Sequence, residues 1–156
     1  MPMPSGYTIA TLHQHVGHDF GSSEPVALDQ PRIDQFAECT GDRQWIHVDV
    51  ERARRDTPHG GTIAHGLLTL SLIPAAQFEL GVYPHDAANV LNYGFERVRF
   101  LAPVPAGTVI AIRVELADVE AKGGGRYLLR SRNTAYKAGD PESPVMVADT
   151  LALVMS

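Results

Sequence analysis

Residues 64–80 read AHGLLTLSLIPAAQFEL, and how that stretch is placed decides the fold. The wider run from Ile63 to Val82 is about long enough and apolar enough to cross a bilayer. It also carries His65, Gly66, Pro74, Gln77 and Glu79, which would be costly in lipid. The reading that fits is a helix apolar nearly all round and therefore buried inside a globular protein. It is expected from about Ala64 to Leu80, kinked where Pro74 removes a backbone donor, and ended near Gly81.

After that helix the period changes from helical to extended, with runs at about 89–101, 107–120, 126–137 and 144–155. Ile110, Ile112, Val114 and Leu116 alternate with Ala111, Arg113, Glu115 and Ala117, the pattern of a half-buried antiparallel strand. Lys122-Gly-Gly-Gly-Arg126 is a hairpin turn; a phosphate-binding loop would need a strand before it and a helix after it. Val145 to Met155 is apolar on both faces apart from Asp149 and Thr150, which suits a central strand. Upstream, Asp29 caps a helix with Pro31 in its first turn, Ile33, Phe36 and Ala37 at helical spacing, and Gly41 as its stop. A polar loop from Asp42 to Val50 follows, then a short helical turn around Glu51 to Arg54 and the punctuation Thr57-Pro-His-Gly-Gly61. Tyr7 to His18 is read as a further strand. The economical packing wraps one mostly antiparallel sheet about the apolar helix, an α+β fold.

Composition agrees with one soluble globular domain over residues 1–156: 44% of the residues are apolar and 20% charged. No repeat or low-complexity tract divides the chain. Cys39 is the single cysteine and cannot close a disulfide within the chain. Met1 to Tyr7 has no basic segment followed by an apolar one, so no secretory signal is expected and the cytoplasm is the expected location. A net charge of -5 argues against binding nucleic acid over the whole surface. Between Arg97 and Lys137, however, eight basic residues face three acidic ones. That balance suits solvated strand faces, or a small phosphate-bearing ligand better than a long polyanion.

Reactive side chains are densest in Gly41-Asp-Arg-Gln-Trp-Ile-His-Val-Asp49, between the two helices. Asp42 and His47 share no helical face, but a loop that folds back can bring both onto one water. A carboxylate and an imidazole so placed divide acid and base duties near neutral pH. The plainer alternative is that Asp42 caps the next turn while His47 hydrogen-bonds locally. Thr62-Ile-Ala-His-Gly66 opens the apolar helix, where unpaired N–H groups favour negative charge and Gly66 allows a ligand carbonyl to come close. That is the makings of an oxyanion hole. His65 taken alone suits a satisfied, partly buried histidine at a helix end.

Phe36-x-x-x-Thr-Gly-Asp-x-Gln-Trp-Ile-His-x-Asp49, then Thr62-Ile-Ala-His-Gly-x-Leu-Thr-Leu70, resembles the signature of the MaoC-like (R)-specific enoyl-CoA hydratases. The nearest branch is the NodN-like one. Asn92-Tyr-Gly-x-x-x-Val-Arg-Phe-x-Ala-Pro-Val104 resembles that branch's following strand, so the likeness runs from about residue 30 to 116. The resemblance implies a hot-dog fold, a long central helix wrapped by a curved antiparallel sheet, assembled as a homodimer. It implies that Asp42 and His47 are the hydratase dyad and that Gly66 supplies the donor to the thioester oxygen. Gln44, Trp45, His65, Asn92 and Tyr93 are the expected substrate-binding residues. The implied reaction is reversible addition of water to a trans-2-enoyl-CoA, giving an (R)-3-hydroxyacyl-CoA, with no cofactor or metal beyond the coenzyme A carried by the substrate.

Two features depart from the broader pattern. Gln44-Trp45 replaces the common Asn-Pro, as in NodN-like members. A serine that some hydratases place late in the central helix corresponds to Pro74, with Ser71 nearby. Acyl-chain length would depend on how Pro74, Phe78 and Tyr93 shape the pocket. An acyl-CoA thioesterase and a non-catalytic acyl-CoA-binding module are the alternative readings. A metal enzyme drawing on His13, His15, His18, His47, Asp49, His59 and His65 is weaker, because their spacing matches no zinc site.

Overall fold

The computed structural model describes residues 3–156. Asp29 caps the first helix, α1 (Gln30–Thr40), by accepting the Arg32 N–H at 3.0 Å, and Gly41 ends it at a φ of 81°, where a side chain would be strained. The segment expected as a polar loop contains a short helix, α2 (Trp45–Val48), and the helical turn expected around Glu51 to Arg54 is present as α3 (Val50–Asp56). Asp49 joins them. Its N–H closes α2 onto the Trp45 carbonyl, and its carboxylate caps α3 through the Arg52 N–H.

The apolar helix is present but broken into α4 (Gly66–Ser71) and α5 (Ile73–Glu79), with the break at Leu72 rather than at the proline. Pro74 has no N–H to give Leu70, and its ring crowds that carbonyl, so the turn before the proline tightens. Leu72 accordingly bonds back to Thr69 rather than to Leu68. Residues 63 and 64 lie outside the helix in extended form. Ile63 pairs with Pro105, and the Ala64 N–H reaches the Val104 carbonyl at 2.8 Å.

The strands are β1 (Asp19–Ser22), β2 (Val26–Leu28), β3 (Asn89–Phe100), β4 (Thr108–Gly123), β5 (Arg126–Lys137) and β6 (Asp140–Met155). They form one antiparallel sheet in the order β1-β4-β5-β6-β3, with β2 following β1 along the same edge of β4. β6 is internal, as its two apolar faces predict. The alternation on β4 also holds: Ile110, Ile112, Val114 and Leu116 are buried with Leu129, Ala135, Met146, Ala152 and Val154 against Ile33, Ile73 and Ala76 of the helices. The stretch expected as an extra strand is a 3-10 helix at Ile9–His15. Ile9 and Leu12 are its buried residues, a spacing of three that suits 3-10 geometry and not a pleat.

The cationic excess between residues 97 and 137 is spent largely in ion pairs on the sheet. Arg97 pairs with buried Asp149, Arg113 with Asp19, Lys122 with Glu120, Arg130 with Asp118 and Arg132 with Glu115. Among the described residues no helix is long and apolar enough to cross a membrane.

Candidate active site

The turn after α1 places Asp42. The Thr40 hydroxyl donates back to the Phe36 carbonyl and accepts the Asp42 N–H, so the chain reverses within two residues of the helix end. His47 rides on α2, whose carbonyl at His47 accepts from Gln30 Nε2 at 2.8 Å, while Gln30 Oε1 accepts from the Thr62 hydroxyl. One amide side chain therefore holds α2 against the segment that leads into α4. The Ile63 N–H bonds the Ile46 carbonyl at 3.1 Å, which brings the Ile63 carbonyl beside the imidazole.

The dyad expected from the sequence meets in space. A carboxylate oxygen of Asp42 and ring nitrogens of His47 and His65 lie within 4.8 Å of one another, close enough for one water to bridge carboxylate and imidazole. His47 is buried at 7% exposure and its Nδ1 lies 2.7 Å from the Ile63 carbonyl. A carbonyl only accepts, so Nδ1 carries the proton and Nε2 of the neutral ring keeps a free lone pair. Burial holds the His47 pKa below the ordinary histidine value. The neighbouring His65 adds to that, and the Ile63 carbonyl and Asp42 oppose it. The ring is thus kept neutral and basic at the nitrogen that is not tied down. Both halves of the plainer alternative coexist with the dyad: Asp42 Oδ1 lies 3.4 Å from the Gln44 N–H, and His47 does bond locally.

His65 is the N-cap residue of α4, is 2% exposed, and stacks on His47 with ring centroids 3.8 Å apart and planes at 25°. Its Nε2 donates to the Asp42 carbonyl at 2.9 Å, and Phe36 packs on it at 5.0 Å. The first helical bond of α4 is made by the Leu68 N–H to the His65 carbonyl, so Gly66 and Leu67 precede it with N–H groups free of helical partners.

A cavity of about 270 Å³ opens here, walled by His47, Ile63, Gly66, Thr69, Phe100 and Met146 among others. The strand register explains its far wall: Phe100 faces Met146 across β3 and β6, on the helix side of the sheet. A Cβ added at Gly66 would lie 3.0 Å from the Phe100 ring, so any larger residue there would press on that ring.

His47 and Gly66 line the cavity, whereas Asp42, its side chain 52% exposed, and buried His65 lie beside His47 without lining it. Gln44 and Trp45 do not line the cavity: Gln44 is exposed, and the Trp45 ring is covered by the Arg52 guanidinium at 4.1 Å. Asn92 and Tyr93 sit on exposed β3 away from it, and Tyr93 lines a separate concavity with Lys122, Arg126 and Leu153. Sequence reasoning missed Met146 and the Ile63 carbonyl, and it named Thr69 and Phe100 only within motifs. A backbone acceptor has no signature in a sequence.

Asp42, His47 and His65 form the one group of three metal-ligating types among the described residues, so His13, His15, His18, Asp49 and His59 join no such cluster. Of the ring nitrogens in this group, His47 Nδ1 and His65 Nε2 each face a carbonyl, which leaves His47 Nε2 and His65 Nδ1 as its uncommitted atoms.

The MaoC-like domain model matches residues 11–135. Nodulation protein N of Rhizobium leguminosarum bv. viciae is 35% identical over 147 residues, covering 94% of this chain and 91% of that protein. The 3-hydroxyacyl-thioester dehydratase Z of Mycobacterium tuberculosis (strain H37Rv) is 38% identical over 145 residues, covering 92% of this chain and 93% of its own. An R-hydratase from Pseudomonas aeruginosa, solved unliganded, superposes with a TM-score of 0.69 at 25% identity, covering 90% of this chain and 82% of that one. With its antiparallel sheet wrapped on a central helix in the hot-dog manner, the chain belongs to the MaoC-like family of hydratases and dehydratases, on the side of its nodulation-protein-N-like members.

Proposed function

We propose that this protein is an (R)-specific enoyl-CoA hydratase, adding water reversibly to a trans-2-enoyl-CoA to give an (R)-3-hydroxyacyl-CoA. The observation that carries the reading is the meeting of Asp42 with a His47 whose Nδ1 is tied to the Ile63 carbonyl, beside the cavity that Gly66 lines. Asp42 accepts one hydrogen bond from the reacting water and orients it. His47 Nε2 takes the other proton as the oxygen bonds to C3. The π electrons move to the thioester oxygen, where the Gly66 N–H stabilises the charge. The enolate then collapses, and the proton held by the dyad is returned to C2. Elimination of water is the same path reversed, which accords with the dehydratase name of the mycobacterial relative. The (R) outcome is taken from the naming of the Pseudomonas neighbour. The acid–base steps need no cofactor or metal beyond the coenzyme A of the substrate.

The test is loss of the conjugated thioester's absorbance across a series of enoyl-CoA chain lengths. General acid–base catalysis contributes about 10²–10⁴ in rate, so Asp42→Asn and His47→Ala should each slow hydration at least about a hundredfold while the protein stays folded. A variant retaining wild-type turnover would remove the dyad. Release of free thiol in place of hydration would mark a thioesterase, and tight binding without turnover a carrier of acyl-CoA.

A further inference from the structure

Two buried side-chain atoms beside the candidate site lack a hydrogen-bond partner: His65 Nδ1 and Thr69 Oγ1. Both residues are 2% exposed. His65 caps α4 and Thr69 lies in its first turn, where the Thr69 N–H bonds the His65 carbonyl at 3.3 Å, so the two residues are neighbours at the helix start. Their needs are complementary. His65 Nε2 carries the ring's proton, because it faces the Asp42 carbonyl at 2.9 Å and the Asp42 carboxylate at 4.0 Å. The neutral ring therefore presents a bare lone pair at Nδ1, which only accepts, whereas a threonine hydroxyl can rotate its proton toward an acceptor. Leaving both unmet in the interior costs about 1–3 kcal/mol for each group, which a bond between them would remove.

We infer that Thr69 is a positioning residue, its hydroxyl donating to His65 Nδ1 and so fixing His65 in the tautomer whose Nε2–H holds the Asp42 backbone. The chain of contacts is then continuous: Thr69 on the cavity wall, the His65 ring, the Asp42 carbonyl, and the carboxylate of Asp42 beside His47. His65 also forms the surface on which the His47 ring lies, so a ring turned over or swapped to the other tautomer would disturb both members of the dyad. This gives His65 a role apart from substrate contact. Thr69 acts through His65 and touches no reacting atom in this scheme. The consequence for turnover rests on the hydratase reading; the tautomer does not.

Thr69→Val keeps the shape and removes the donor, and Thr69→Ser restores it. With a hydratable enoyl-CoA, Thr69→Val should lower kcat about tenfold, the scale of one lost buried hydrogen bond, with KM unchanged, and Thr69→Ser should recover most of the loss. Nitrogen-15 spectra of the His65 ring should show one tautomer, with Nε2 protonated, in the wild type and in Thr69→Ser, and a mixture in Thr69→Val. A His65 spectrum indifferent to Thr69→Val overturns the inference, as does a serine variant as impaired as the valine one. If no enoyl-CoA is hydrated at all, the proposed function fails while the spectra still decide the hydrogen bond.

Discussion

At the scale of single residues the site depends on which nitrogen of an imidazole is bare. The family motif in the sequence pointed to Asp42 and His47, a pairing that spacing alone left open, and the structure brings them together. What the sequence could not reveal is that the Ile63 carbonyl accepts the Nδ1–H hydrogen bond and leaves Nε2 with the bare lone pair, since any residue can offer a carbonyl. A consequence for pH follows from the lowered His47 pKa. The folded ring binds a proton less readily than the same ring in the unfolded chain, whose value is about 6.5. Stability is therefore complete above that value and declines as the pH falls below it, because protonation draws the chain toward the unfolded state. The base form should persist into mildly acidic solution, placing the acid limb of the kcat/KM profile below about 6.5. Thermal midpoints measured from pH 7.5 downward should fall less steeply in His47→Gln than in the wild type. Equal slopes would mean that His47 titrates as it does in the unfolded chain.

Among the elements, the broken helix is fixed to the sheet by a polar group that the sequence marked only as an obstacle to a membrane span. Gln77 on α5 is fully enclosed. Its Nε2 donates to Asn133 Oδ1 at 2.9 Å and to the Thr150 hydroxyl at 2.7 Å, and its Oε1 accepts from the Tyr83 hydroxyl at 2.6 Å. Burial pushes the Tyr83 pKa up to about 12, so the phenol remains a donor at any ordinary pH. Asn133 completes the set by donating to the Ser131 and Ala148 carbonyls. Gln77→Leu matches the volume and leaves the Tyr83 hydroxyl and the Asn133 oxygen without partners. At about 1–3 kcal/mol for each of the two unsatisfied buried groups, it should destabilise the protein by roughly 2–6 kcal/mol in denaturant unfolding. A loss under about 0.5 kcal/mol would show that the network is dispensable. The sequence was clear where one local signal dominates, as with the Asp29 cap and Gly41 stop of α1 or the alternation from Ile112 to Leu116 on β4. It was unclear where signals compete. Ile9 to His15 carries few apolar residues, so a period of three and a period of two are hard to separate, and Pro74 announced a kink without saying which turn would yield.

The whole molecule has two unequal sheet edges, a property that emerges only once the strand order is known. One edge is covered by the short β1 and β2, of four and three residues, while the other is the twelve-residue β3 with no proline in it. β3 bears exposed Leu91, Tyr93, Phe95 and Phe100, and the helix adds Leu67 and Phe78 at 60% and 63% exposure. The helix is thus apolar all round as its sequence reads, but its own sheet covers only part of it. A long unpaired edge lined with large apolar side chains would invite uncontrolled strand addition unless something covers it. A second copy meeting the first along β3 would satisfy those backbone groups, cover the aromatic side chains and flank the cavity wall at Phe100. On this reading the chain sediments at twice its 16.9 kDa mass. Phe95 faces Thr150 in the register, on the helix side of β3 where it stays half exposed, so a charge there costs little within one chain and much across a pair. Phe95→Lys should yield a folded monomer whose circular dichroism is unchanged and whose hydration rate is reduced, because the mouth of the cavity beside Phe100 loses its neighbour. A wild-type protein that sediments as a monomer at micromolar concentration would refute the pairing. So would a Phe95→Lys variant that remains dimeric, since a buried unpaired ammonium at such a seam would cost several kcal/mol.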